Sequence, residues 1–482
     1  MARSCGACGA DGAEFACSRC KVARFCGPDC FKAAWKAHKP NCRPPSAAPA
    51  EKASEGPAKP SQACARPSEA VQEASGDPIS SGRIFISIAA YCDPELPTTL
   101  RALLLQAKRP NLLYVGLVWQ GLADPLESGD VAALARLWGE DPSAAGARPD
   151  GQLPLPGDRQ IEREVLLGGR IRMVRMPPQD ARGPCWARYL AQLLWAGEEL
   201  YLQLDSHMRV VPQWDEHMRQ QLAWCRTQSA KPVLCCYGRP YSLGTPPDWA
   251  PPGNMTGALN CAGFFDKANI LNIRYRTLQE DWLEPQRSFF WSAHFSFSSA
   301  EMIREVPYDP QLLMLFYGEE ILISVRLFTH GWDLFSPARG LIFHLWERDY
   351  RKVYVNDQPD LYADLVRPSR RRLHAMLGSG PQPFFEEDVE DWPLPGDSSP
   401  RRHESGHDPF GLGTTRTLAE YEATADLSFK DRRLGDFALR GGAPGEEYFV
   451  GREEGGQAAV EAKAMKLNEA QAQAHAAANR KR

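Results

Sequence analysis

The chain has 482 residues, 24% of them charged, and a formal net charge of −4. That length allows two or three domains with a sizeable core, and the near balance of charge argues against a nucleic-acid binder or a polybasic membrane protein. The start, Met1-Ala2-Arg3-Ser4-Cys5, has no apolar signal-like stretch and no later run approaches membrane-spanning length, so a soluble cytoplasmic protein is expected, with the nucleus as the alternative location.

Half of the fourteen cysteines fall at the beginning, as Cys5-x2-Cys8, Cys17-x2-Cys20 and Cys26-x3-Cys30, with Cys42 closing His38-x3-Cys42. Eight thiolate and imidazole ligands suffice for two closed tetrahedral zinc sites. So short a segment buries little core, and metal binding would supply most of its folding energy. A disulfide framework is the alternative, and the leaderless start disfavours it. The module carries seven Lys and Arg against three Asp and Glu. Seven thiolates and two Zn²⁺ bring it close to neutral, which removes the apparent case for nucleic acid. The spacing closely resembles the MYND-type zinc finger. That resemblance implies a cross-brace, with one site from Cys5, Cys8, Cys26 and Cys30 and the other from Cys17, Cys20, His38 and Cys42. It also implies docking of peptides, often proline-rich. A folded cap without a partner fits the residues as well.

Residues 43–81 are rich in Pro, Ala, Ser, Glu and Lys with almost no aromatics, and read as a flexible linker. Order resumes with a strand at Arg83–Ala89, a helix opening at Pro97–Leu100 and a second strand at Leu112–Val118. Strand, helix, strand is a βαβ unit and predicts a parallel sheet. No Gly-rich phosphate loop accompanies it. The Gly-, Pro- and Asp-rich stretch from about Gly121 to Gln160 reads as an insertion loop. A third strand is expected at Arg170–Arg175, then a helix from Pro184 through Trp186, Tyr189 and Leu194 towards Gly197. Arg182 and Arg188 lie near the start of that helix, where an anionic phosphate would also meet the helix dipole, though surface arginines would read the same way.

The helix leads into Tyr201-Leu202-Gln203-Leu204, an apolar run that ends in Asp205-Ser206-His207. Such a run suits a buried parallel strand, whose carboxyl end is where open α/β sheets place ligands. Alternate residues point the same way, so Asp205 and His207 can converge on one divalent ion such as Mn²⁺. Taken alone, the pattern is also that of a polar turn. Further on come a helix at Gln213–Thr227, a buried strand at Val233–Tyr237 and a long loop at Pro240–Thr256. Phe289–Phe297 alternates aromatic and small residues, as a strand at a ligand-lined surface would. Tyr317-Gly318-Glu319-Glu320 opens a helix whose first-turn carboxylates could simply complement its dipole. The strand Leu341–Phe343 delivers His344, and a lone histidine there is usually structural. A basic run (Arg370, Arg371, Arg372), an acidic one (Glu386 to Asp391), a packed turn and helix at Phe410–Tyr421 and an Ala/Glu/Lys-rich tail complete the chain.

Together the D-S-H, the Y-G-E-E about a hundred residues later and the post-strand histidine resemble a GT-A glycosyltransferase. The likeness is to the cytoplasmic polypeptide GlcNAc-transferase family that modifies hydroxyproline on a ubiquitin-ligase subunit. It is carried by Leu202–Arg209, Arg304–Pro310 and Phe316–Asp333. It implies an α/β fold of the GT-A kind, a Rossmann-like mixed sheet flanked by helices, over residues 82–351. Residues 352–450 would pack on this domain as a C-terminal extension, and 451–482 would form the tail. The resemblance further implies that Asp205, His207 and His344 bind Mn²⁺ beneath the diphosphate of UDP-GlcNAc. By that likeness Glu319 and Glu320 would hold the sugar, and by their place at the helix start Arg182 and Arg188 would contact the donor. The reaction would retain the anomeric configuration, with a protein hydroxyl as acceptor. An N-terminal MYND finger is not part of the usual family architecture, so the acceptor stays open. A SET–MYND methyltransferase is a rival that lacks its N-H-x-C segment here. A MYND adaptor with a non-catalytic transferase-like domain is the other.

Overall fold

In the computed structural model, the described residues are 15–16, 24–25, 78–141, 148–155, 160–251, 256–380, 395 and 408–450. The chain divides into two units, Met1–Glu73 and Ala74–Arg482. In the first, Phe15–Ala16 pairs antiparallel with Arg24–Phe25. The eight expected zinc ligands, most of the linker, the acidic run and the tail lie outside the described residues.

The second unit is built on β1 (Ile84–Tyr91), α1 (Leu96–Gln106), β2 (Leu113–Gln120), α2 (Ser128–Trp138), β3 (Arg148–Pro154), β4 (Gln160–Leu166) and β5 (Ile171–Met176). There follow α3 (Pro184–Gln192), β6 (Leu200–Asp205), β7 (Met208–Val210), α4 (Trp214–Arg226), β8 (Pro232–Cys235) and β9 (Arg239–Pro240). A hairpin of β10 (Ala258–Phe265) and β11 (Leu271–Thr277) precedes β12 (Gln286–Ser288) and β13 (Phe295–Ser299). Last come α5 (Glu319–Thr329), β14 (Asp333–Ser336), β15 (Ile342–His344), α6 (Pro359–Met376) and α7 (Leu418–Ala425).

Ten strands form one sheet in the order β12-β14-β8-β13-β6-β1-β2-β5-β4-β3. Its centre, β6-β1-β2-β5, is parallel, with Ile86 opposite both Val115 and Leu202. β13 runs antiparallel between β6 and β8. Helices α3 and α5 cover one face, and α1, α2 and α4 the other. Burial on both faces explains why β1, β2 and β6 are continuous apolar runs. The α/β class with a large mixed sheet flanked by helices is thus the one expected. A three-stranded sheet, β9-β15-β7, sets His344 opposite Met208.

Three local expectations are corrected. Residues 121–160 are not a plain insertion loop, because they contain α2 and β3. Leu134, Ala135 and Trp138 bury one face of α2, and Glu127 with Asp130 makes its capping box, but flanking Gly, Pro and Asp masked that periodicity. The strand expected from Phe289 begins only at Phe295, and Phe290 and Trp291 are buried core residues of the preceding turn. The helix aimed at Gly197 stops at Gln192. The β10–β11 hairpin went unread.

Two glycines bring elements close to the strand ends. Gly183, at φ +93°, caps α3, and a Cβ there would lie 2.7 Å from the Met314 backbone. Gly318, at φ +107°, caps α5 and leaves no room for a Cβ beside Leu373. In both, the left-handed conformation and the close approach require glycine.

Candidate active site

Asp205 ends β6 and lies beside the end of β1, whose Ala89 is its register partner. His207 follows in the tight link to β7, and β15 pairs with β7 to bring His344 alongside. The Asp205, His207 and His344 ligand atoms all lie within 4.8 Å of one another. His207 Nε2 is 3.1 Å from His344 Nε2, and Asp205 Oδ2 is 3.5 Å from the latter and 3.9 Å from the former. One carboxylate oxygen and two imidazole nitrogens facing one another are a fitting donor set for a divalent cation.

Asp93, fully buried just beyond β1, organises this cluster. Its Oδ2 lies 2.6 Å from His207 Nδ1 and accepts from Ser206 Oγ at 2.6 Å. Burial alone would raise the Asp93 carboxyl, but His207, Arg351 and Ser206 override it and hold it well below the usual carboxylate range. A carboxylate there keeps the proton on Nδ1 and turns the Nε2 lone pair towards the cluster. Burial pushes His344 well below its ordinary value, which favours the neutral imidazole there. Its ring lies against Trp346, His294 and His207, with centroids 4.1, 4.6 and 4.7 Å away. Burial would also raise the Asp205 carboxyl, and the Arg188 charge, aided by the two histidines, holds it well below its ordinary value.

The cluster borders a cleft at the carboxyl ends of β1 and β2. Tyr91, Gln120, Phe316 and Tyr354 wall it, while Arg188 and Arg351 contribute charge. Arg351 also stands 3.5 Å from Asp93 Oδ2. The sequence reading missed Asp93 and Arg351, whose only local signals were a Tyr-Cys-Asp-Pro strand end and one basic residue among several.

The other expected site residues separate. Arg188 lines the cleft, yet its two terminal nitrogens donate to Asp205 Oδ1 at 2.7 Å and Glu319 Oε1 at 2.6 Å. Arg182 does not join the cluster, since its Nη1 donates to the backbone oxygens of Gln179 and Ala181. Glu319 is buried beneath the site, where it accepts from the Tyr308 hydroxyl at 2.7 Å. Glu320 is half-buried and accepts from the Tyr237 hydroxyl at 2.5 Å and from Ala293 N at 2.9 Å. Tyr237 in turn stacks on Tyr275 and Trp346, each 5.7 Å away between centroids.

The parallel centre of the mixed sheet thus carries an acid–histidine cluster at its carboxyl edge. Residues 83–431, more than half of the chain, match the family described as Glycosyltransferase (GlcNAc), and the chain belongs to it. Residues 5–42 match the MYND finger, which implies zinc. No curated protein matches the chain significantly. Solved structures similar to it include GalNAc-T7 with UDP, GalNAc and Mn²⁺, at 13% identity and TM-score 0.38, covering 72% of this chain and 55% of that one. S. aureus TarS 1–349 is similar at 10% identity and TM-score 0.30, covering 61% and 74%. Its complex with UDP-GlcNAc is similar at 11% and 0.33, covering 62% and 68%. The chain thus spans little more than half the length of the first of these structures. Among the described residues, no helix is long and apolar enough to cross a membrane.

Proposed function

We propose that the chain transfers GlcNAc from UDP-GlcNAc to a hydroxyl of a protein, hydroxyproline-like, with retention at the anomeric carbon and with Mn²⁺ or a similar divalent ion. The observation that carries this reading is the meeting of Asp205, His207 and His344 beside the cleft, in a chain of the GlcNAc glycosyltransferase family. When bound, the cation would offset the negative charge that develops on a departing diphosphate. The residues' own work is then positional. Asp93 holds the His207 tautomer, and the Arg351 guanidinium offers a phosphate partner inside the cleft. The Glu320 carboxylate, fixed by Tyr237 and Ala293, accepts from sugar hydroxyls. Front-face attack lets the leaving phosphate take the acceptor proton, so no protein base is assigned. Reaction in the cytoplasm, or alternatively the nucleus, belongs to the same proposal.

The test is release of UDP from a panel of nucleotide sugars after removal of metal with EDTA. Mn²⁺ should restore turnover, and UDP-GlcNAc should be the preferred donor. A chain that neither releases UDP from any donor nor binds UDP is a MYND adaptor with a non-catalytic domain, and the proposal fails.

The finger is expected to act outside the chemistry, docking a proline-rich peptide, because eight cysteine and histidine ligands would close two zinc sites and leave no open coordination position. Removal of residues 1–42 should change donor hydrolysis by no more than about twofold. A folded truncated protein without hydrolysis would overturn that separation.

A further inference from the structure

The two oxygens of Asp205 have different partners. Oδ1 accepts from Arg188 Nη2 at 2.7 Å, whereas Oδ2 is the oxygen that faces His344 Nε2 at 3.5 Å and His207 Nε2 at 3.9 Å. Arg188 is itself held from behind, its Nη1 donating to Glu319 Oε1 at 2.6 Å. The same Glu319 oxygen accepts from the Tyr308 hydroxyl at 2.7 Å, and that hydroxyl accepts from Gln203 Nε2 at 2.9 Å. The Tyr308 backbone N–H donates to Gln192 Oε1 at 2.8 Å. Gln203 lies two residues before Asp205 on β6, and Gln192 lies one turn beyond Arg188 on α3, so the ring of contacts closes on the elements that carry the ion pair. Every member of the supporting ring is buried, with Arg188 8% exposed and Glu319 3%.

We propose that Arg188, held by Glu319, is a positioning residue that reserves Asp205 Oδ1, restricts this carboxylate to single-oxygen coordination, and so makes the site discriminate against Ca²⁺ in favour of Mn²⁺ and Mg²⁺. The inference rests on the metal-centre reading above. Ca²⁺ favours more oxygen ligands and often takes carboxylates bidentately, whereas smaller octahedral ions do not need the second oxygen. Two imidazole nitrogens already bias the donor set away from Ca²⁺. Recruiting Oδ1 would leave the buried Arg188 Nη2 without its acceptor, with only the Glu319 pair remaining, and an unpaired buried donor is costly. Glu319 therefore acts through Arg188 rather than on the sugar. Arg188 likewise has both terminal nitrogens engaged and serves Asp205 instead of a donor phosphate.

The test is metal binding by the full-length protein, stripped of loosely held divalent ions, without nucleotide sugar. Free Mn²⁺ is followed by electron paramagnetic resonance and displaced with Ca²⁺ or Mg²⁺, and a melting curve checks each variant's fold. Glu319→Gln should weaken Mn²⁺ binding and shift the Ca²⁺-to-Mn²⁺ affinity ratio towards Ca²⁺ by about tenfold, the lower end for lost outer-shell support. Arg188→Lys should shift the ratio the same way, because an ammonium lacks the fork that spans both carboxylates. Tyr308→Phe removes one hydroxyl and carries the test if the charge variants do not fold. Ratios within about twofold of wild type, with Mn²⁺ still bound, overturn this role while leaving the metal centre standing. A wild-type chain that binds neither ion overturns the metal reading and this inference together.

Discussion

Asp205→Asn should lower UDP-GlcNAc turnover by roughly two to three decades, the usual loss when an electrostatic stabiliser of a leaving group is removed. The substitution is nearly isosteric, and the amide oxygen can keep the Arg188 contact now made by Oδ1 at 2.7 Å. Only the oxygen facing the two imidazoles becomes an NH₂ group, which cannot ligate a cation. The fold should therefore survive while turnover collapses, although neutralising a carboxylate that Arg188 holds well below its ordinary value lowers the melting temperature somewhat. Excess EDTA should bring the wild-type chain to the same level. A variant with near-full, metal-dependent turnover would reduce Asp-Ser-His to a polar turn.

The second large effect is on stability. Arg372, in α6, donates through Nε to Asp309 Oδ2 and through Nη2 to Asp408 Oδ2 at 2.7 Å. Asp309 is 1% exposed, and burial raises its carboxyl against the opposing pull of Arg372 and Arg326. Arg326, itself fully buried, donates to the backbone oxygen of Pro307 at 2.7 Å and to that of Gly411 at 3.2 Å. Arg372→Met leaves Asp309 short of its main counter-charge and should cost about 3–5 kcal/mol in urea unfolding. Adding Asp309→Asn should recover part of the loss, because the buried charge disappears with its partner. A loss below about 1 kcal/mol would show that the pair contributes no more than an exposed one. The basic run Arg370–Arg372 thus has a structural member, since Arg372 is buried and paired with two carboxylates.

What the sequence determined by itself is what depends on near neighbours along the chain. Zinc-ligand spacing is local, and it marked residues 5–42 before any fold was known. Alternation by two put Asp205 and His207 on one side of a strand end, and continuous apolar runs such as Ile84–Ala89 and Tyr201–Leu204 announced a covered parallel sheet. Weak local patterns failed for the same reason. Leu134 and Trp138 form a proper buried helix face, but Gly, Pro and Asp on both sides hid it.

Only the tertiary structure decided which distant residues meet. Asp93 reaches His207 across 114 residues, His344 reaches it across 137, and Glu319 reaches Arg188 across 131. A strand's alternation tells which face a side chain takes but not which strand lies beside it, and register is set by the whole sheet. His344 was therefore placed by family likeness rather than by its own strand, and it is the pairing of β15 with β7 that sets it opposite Met208. The same rule separates the two glutamates of Gly318-Glu319-Glu320. Successive helix positions point about 100° apart, so one carboxylate turns inward to Arg188 and Tyr308 and the other towards Tyr237 and Ala293.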